Sequence, residues 1–325
     1  MENPQKELDQ CQQEIEAAIE KRRQNLERLC QGKKLDFNAS ELDDLDALCI
    51  AISLIRREDT LESLYLGSNS IKDEGLEAIS SALSKHVEIK ELYLGSNSFQ
   101  EPGLQTFINT IPELTNLKVL SLGLSHINDI LCTNFAGSLL AMTECSLEIL
   151  YLNGNEIGDE GLLSLIVAMN SDKVHIKTLH LGDNEFTSVG VKLIADFLET
   201  DKDLRRLYLN DNQIDLEGCS DISDGLCVND TLKFLCLGNC GLNDEGFKHI
   251  LSSLSVNRSL ETLHIWNNSI TDLTAEMMLE VLEKYNPSLK EMLIFGNQIE
   301  KFDRFSTLLN SLLKSTREST SIIED

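Results

Sequence analysis

The 325-residue chain is short of basic residues, aromatic residues and long apolar runs. Its 28 Lys and Arg stand against 54 Asp and Glu, a formal charge of −26, so its mean field repels nucleic acid and anionic lipid. Neither is expected as a partner. No apolar run reaches the ~18 residues that a membrane-spanning helix needs. The first residues, MENPQKELDQCQQEIEAAIEKRRQNLERL, lack the apolar core of a secretory signal. Nine cysteines without a CxxC pair fit reduced thiols better than a disulfide framework. An intracellular, cytoplasmic chain is therefore expected, and the sequons at Asn38, Asn229, Asn257 and Asn267 carry little weight. The nucleotide-loop pattern GxxxxGKS/T, GxSxG, HExxH and the calcium loop are all missing. A zinc site begun by Cys236 and His264 would lack further ligands. His180 and His264 are candidate pH switches or bases, but no nucleophile or carboxylate constellation accompanies them. No catalytic residue, metal or cofactor is expected.

What the chain has is repetition. The stretch LYLGSNS occurs at Leu64–Ser70 and again at Leu92–Ser98. Aligned on L-x-x-L-x-L-x-x-N, nine copies start at Leu61, Ile89, Leu117, Leu147, Ile176, Leu204, Leu232, Leu260 and Leu289, in steps of 28 to 30 residues. A degenerate earlier copy lies around Leu35-Asp36-Phe37, with Ser40 in the asparagine position. After the asparagine come an acidic-glycine turn, as in IKDEGLEAI or LNDEGFKHI, and an apolar run of helical period such as Leu162, Leu165, Ile166, Met169. Acids at the helix start suit the positive end of its dipole. One such unit cannot bury both a strand face and a helix face, so units must stack.

The nine copies resemble the leucine-rich repeat family, in its ribonuclease-inhibitor-type subclass of long strand-plus-helix units, from about Leu35 to Leu313. The resemblance implies an α/β solenoid, a horseshoe with a parallel sheet on the concave face and helices on the convex face. Domains are expected as an N-terminal helical cap over 1–34 and a degenerate repeat over 35–60. Nine repeats over 61–300, a capping helix over 301–315 and a flexible tail over 316–325 complete the chain. The cap rests on an apolar stripe of Leu8, Cys11, Ile15, Ala18, Ile19, Leu26 and Leu29. Within the repeat the leucines form buried ladders and the asparagines satisfy turn backbones. The glycine and serine of LYLGSNS are read as fillers. Ser125, in the asparagine position, and the longer step after it mark repeat three as the least regular.

Function has to lie in the positions that alternate with the buried leucines. The fifth position reads Tyr65, Tyr93, Ser121, Tyr151, His180, Tyr208, Cys236, His264, Leu293, and the third includes Arg206 and Phe234. The seventh ends in Trp266 and Phe295. Four of the five tyrosines and the single tryptophan thus sit where solvent is expected, although aromatics also suit packing along a ladder. Seven bases and seven acids share this face, so it is near neutral on a strongly acidic molecule. These features point to a non-catalytic surface for a protein partner, made of Tyr65, Tyr93, Tyr151, His180, Arg206, Tyr208, Phe234, His264, Trp266 and Phe295. The chain also resembles free-standing repeat effectors of bacterial pathogens, its tail STRESTSIIED being similar to type IV translocation signals. That implies passage into a host cytoplasm without a signal peptide. The alternative is a GTPase-activating protein, since activators of Ran use this repeat type; their acidic run is missing here, and no motif assigns a catalytic arginine. A monomer is expected, with dimerisation through the N-terminal helix as the alternative.

Overall fold

A computed structural model describes residues 20–315 apart from 23, 27, 87 and 301. The stripe from Leu8 to Ile19 and the tail 316–325 lie outside the described residues. Among the described residues ten three-residue strands each lead into a helix, and the strands that pair do so in parallel, which is the α/β repeat architecture the sequence implies. The strands are β1 (Lys34–Asp36), β2 (Ser63–Tyr65), β3 (Glu91–Tyr93), β4 (Val119–Ser121) and β5 (Ile149–Tyr151). They continue as β6 (Thr178–His180), β7 (Arg206–Tyr208), β8 (Phe234–Cys236), β9 (Thr262–His264) and β10 (Glu291–Leu293). The described residues divide into two compact units, those up to 126 with 141–147, and 127–140 with those from 148 onward.

In the first unit β1 to β4 pair in chain order, Leu35 opposite Leu64, Leu64 opposite Leu92 and Leu92 opposite Leu120. In the second, β5 to β10 do the same, from Leu150 opposite Leu179 to Leu263 opposite Met292. Because strand side chains alternate, this register puts every inward leucine against the helices, and all of them are buried. The helical runs bury their matching face: Leu76, Ile79 and Leu83 in Asp73–Leu83, Leu162, Leu165 and Ile166 in Asp159–Met169. Ahead of β1 in the chain, the described N-terminal residues bury Leu26 and Cys30, and Arg22 pairs with Asp43 and Asp46. Leu29, expected on the buried stripe, is 63% exposed. The last helix, Phe302–Ser315, buries Phe305, Leu309 and Leu313 but leaves Leu308 exposed.

Each asparagine ties two units together. Asn212 donates to the carbonyls of Leu181 and Leu209 and accepts from the Asn184 amide, all at 2.9 Å. Asn69, Asn97, Asn184, Asn268 and Asn297 bridge carbonyls in the same way. Cys240 keeps only a thiol for this work, with Sγ 3.2 Å from the Leu209 carbonyl. The fillers of LYLGSNS turn out to be constrained. The position before the asparagine is left-handed throughout, from Ser68 (φ 57°) and Ser96 (φ 56°) to Asp183, Asp211 and Gly296. A Cβ on Gly95 would stand 2.5 Å from the Gly123 carbonyl oxygen. Repeat three carries Leu124 and His126 in the same left-handed region, where bulkier side chains are uncommon.

The acidic-glycine turn works between units rather than within one. The Asp129 carboxylate accepts from the amides of Gly158 and Gly161, which open the following helix. Asp44 does so for Lys72 and Gly75, Asp159 for Thr187 and Gly190, and Asp244 for Thr271. The first aspartate of one helix thus caps the next, satisfying amides the helix cannot. Glycine follows from this geometry, because a Cβ on Gly161 would lie 2.7 Å from the Asp129 carboxylate.

A second ladder runs where the helices end. Asn229 donates to the Leu198 carbonyl and accepts from the amides of Thr231 and Leu232. Asn257 and Asn286 repeat the pattern on Leu226 and Leu254. Asn229 and Asn257 are only 4% and 3% exposed, so two of the four sequons belong to the scaffold and are closed to a glycan. Asp201 holds the preceding place and accepts from the Leu204 amide at 2.8 Å, but has no amide group to donate. Burial raises its carboxyl above the usual range. The folded chain therefore holds the proton more tightly than the unfolded one, and the ionised carboxylate weakens the fold at neutral pH. Asp201→Asn should add about 1 kcal/mol at pH 7 by supplying the missing donor and removing the charge. Thermal melts should show that gain shrinking as pH falls toward the ordinary aspartate range; a gain constant across pH would assign it to the hydrogen bond alone.

Candidate functional site

The strand register decides which outward side chains meet. In the first unit Tyr65 lies opposite Tyr93, ring centroids 4.7 Å apart. The Tyr65 hydroxyl donates to Glu91, and the Lys34 ammonium sits 4.3 Å above the Tyr65 ring. Burial and the Glu91 carboxylate push the Tyr65 hydroxyl up to about 12, so it remains a donor at neutral pH.

The second unit holds a longer column. Tyr151, His180, Tyr208, Phe234 and His264 follow one another with centroid separations of 4.3, 3.7, 4.5 and 4.6 Å. His180 and Tyr208 lie nearly parallel, at 12°. Cys236 interrupts the fifth position, and Phe234, two residues earlier on the same strand, closes the gap. Phe234 is 6% exposed, so it supports the column rather than offering contact area of its own. Tyr151, His180, Tyr208 and His264 are half-buried, each covered by its neighbours and open at one edge. Aromatic packing and surface display therefore coexist in the same rings.

Arg206 is exposed beside this column. Its guanidinium lies 4.5 Å from the Phe234 ring centre, and Nη2 donates to the Tyr208 hydroxyl at 2.5 Å. Burial lowers the His180 imidazole to about 4, and Arg206 adds to the shift. Burial lowers His264 as well, against the opposing pull of Glu291 4.0 Å away. Both rings are thus neutral around pH 7, and His180 lies below the range a physiological switch would need. The His264 Nε2 is buried without a hydrogen-bond partner in the structure. Cys236 lies opposite His264 but is buried, and among the described residues no three His, Cys, Asp or Glu gather as metal ligands.

At the C-terminal end of this face Trp266 and Phe295 stack in parallel at 6.0 Å, and the indole covers Gly238. Phe295 is 47% exposed. Charges edge the rings as ladders: Glu62 binds Lys33 and Lys90 at 2.6 and 2.8 Å, and Glu261 binds Lys290 and Lys233 at 2.6 and 3.4 Å. Two lysines hold Glu62 down to about 2. Sequence patterning placed the rings on one face and missed the pairing of the charges, because a lysine's partner lies one unit away. No helix among the described residues is long and apolar enough to cross a membrane.

Residues 60–80, 144–165, 173–195 and 201–223 match the family model described as Leucine Rich repeat. No curated protein matches the chain. Among similar solved structures, an internalin from Listeria monocytogenes is 19% identical with a TM-score of 0.45, covering 89% of this chain and 87% of its own. The actin-binding site 2 of leiomodin-1 is 17% identical with a TM-score of 0.42, covering 48% of this chain and 88% of its own. The four matched segments, the ten strand-and-helix units among the described residues and the asparagine ladder together give the chain a leucine-rich repeat architecture.

Proposed function

We propose that the outward face of the second unit is a non-catalytic recognition surface for a protein partner. The observation that carries this reading is the ring column from Tyr151 to His264 with Trp266 and Phe295 beyond it, on a chain where aromatics are scarce. Rings already packed against one another lose little freedom on binding, and tyrosine and tryptophan supply large contact areas with a polar edge. Affinity capture from cytosol tests the reading, comparing the native chain with the Tyr208→Ala, Trp266→Ala double variant. Proteins held by the native chain and released by the variant support it; identical captures place the site elsewhere.

The competing role, GTPase activation, would need a mobile arginine that extends off this face into a partner's nucleotide site. Arg206 instead rests on Phe234 and Tyr208, and Arg205 donates to its neighbouring Leu204 carbonyl. Faster GTP hydrolysis by a captured GTPase at catalytic amounts of the chain would reverse that preference. Delivery into a host cell rests on the composition of the tail alone. A reporter fused to the last 30 or so residues should cross into host cells through a competent type IV system; a reporter that stays behind removes the effector reading.

A further inference from the structure

Resting on the recognition reading above, we propose that the face of β6 to β8 takes an acidic segment of the partner protein. In this arrangement one Asp or Glu carboxylate seats on the Arg206 guanidinium and the Tyr208 hydroxyl. The starting observation is how differently the cations of this face are used. Lys177 is bound to Glu148 at 2.9 Å, and Lys233 and Lys290 share Glu261. Arg206 makes no ion pair among the described residues; its partners are a hydroxyl and two rings. An exposed arginine left without a carboxylate on a chain holding 54 acids is available to a ligand.

Geometry makes that availability specific. The guanidinium is fixed by the Phe234 ring beneath it and by Nε and Nη2 both donating to the Tyr208 hydroxyl, at 3.2 and 2.5 Å. A fixed planar fork with unused N–H groups suits a planar carboxylate, and little side-chain entropy remains to be lost. The Tyr208 oxygen accepts from Arg206, so its own proton can be donated to the same anion. His180 and His264, on either side, are neutral and add no competing charge.

The wider face has a polarity that orients the segment. On β6 to β8 the bases Lys177, Arg205, Arg206 and Lys233 gather at the strand starts. The acids Asp183 and Asp211 stand just past the strand ends, with Asp211 bonded to Asn210 and Asn239. A carboxylate is drawn to the first end and repelled from the second.

The test probes an array of random peptides about 12 residues long with the full chain. The native chain should enrich Asp and Glu over Lys and Arg among bound peptides. Arg206→Gln should abolish that enrichment and weaken the acidic peptides about tenfold, the usual scale for losing a charge-assisted bidentate contact. Arg206→Lys should retain part of it, keeping the charge and losing the fork. Four results overturn the proposal: no acidic preference, a preference that survives Arg206→Gln, stronger binding of phosphoserine than glutamate peptides, or no binding at all. Binding that fails with Tyr208→Ala and Trp266→Ala but not with Arg206→Gln removes only the anion contact. Binding indifferent to all three removes the recognition face itself.

Discussion

Replacing Tyr208 and Trp266 together by alanine should weaken partner binding by about 2 kcal/mol or more, some thirtyfold in Kd, with the repeat fold intact. Tyr208 sits at the middle of the column, 3.7 Å from His180 and 4.5 Å from Phe234, and its hydroxyl anchors Arg206. Its loss removes contact area and also frees the guanidinium to sample other rotamers. Trp266 and Phe295 form a separate stacked pair, so the double variant disturbs both the column and this pair. Neither side chain belongs to an asparagine ladder or a helix cap, so far-ultraviolet circular dichroism should match that of the native chain. Tyr208→Phe serves as the control, because it keeps the stack and removes only the hydroxyl. A folded double variant binding at full strength would move the site off this face.

Asn212→Ala should cost about 2–4 kcal/mol, the largest loss from any single truncation considered. The side chain is 3% exposed and satisfies two carbonyls and one amide drawn from two consecutive units. Alanine leaves these groups buried and without their side-chain partner. In a stacked array stability is a sum of unit and neighbour terms, so damage at one junction also loosens the coupling on either side. Urea unfolding should show a lower midpoint and a shallower transition. Gln213→Ala, at the exposed adjacent position, should stay within about 0.5 kcal/mol. A loss equally small at Asn212 would mean that the turn backbones find other partners.

The strands and the first ladder were readable because their spacing is nearly constant: leucines at two alternating positions and asparagine three residues later leave few structural solutions. Features that join one unit to the next were harder. Asp129, Asp159 and Asp244 read as ordinary helix-start acids, yet their hydrogen bonds go to residues nearly thirty positions on. Asn229 and Asn257 matched a modification signal, and only their burial shows them as scaffold. Phe234 looked like surface because its position alternates with a leucine. What buries it is the Arg206 guanidinium above it and the Tyr208 and His264 rings beside it, all on neighbouring strands. The aromatic column was legible as a list of residue types; its continuity past Cys236 was not, since a third-position ring fills a fifth-position gap.

The aspartate that caps the following helix gives the array a direction. Shortening it from the front, past Asp129, would strip two amides at the start of the helix at Asp159–Met169 of the carboxylate oxygen they share and leave its first turn frayed. Shortening it from the rear would leave Asp129 only a carboxylate in water, which costs little. Where Asp215 or Asn243 caps its own helix, through the amides of Gly218 and Gly246, that dependence lapses and the cut becomes tolerable from either side. A designer splitting or grafting this scaffold would therefore cut ahead of those two residues, where a fragment carries its own beginning.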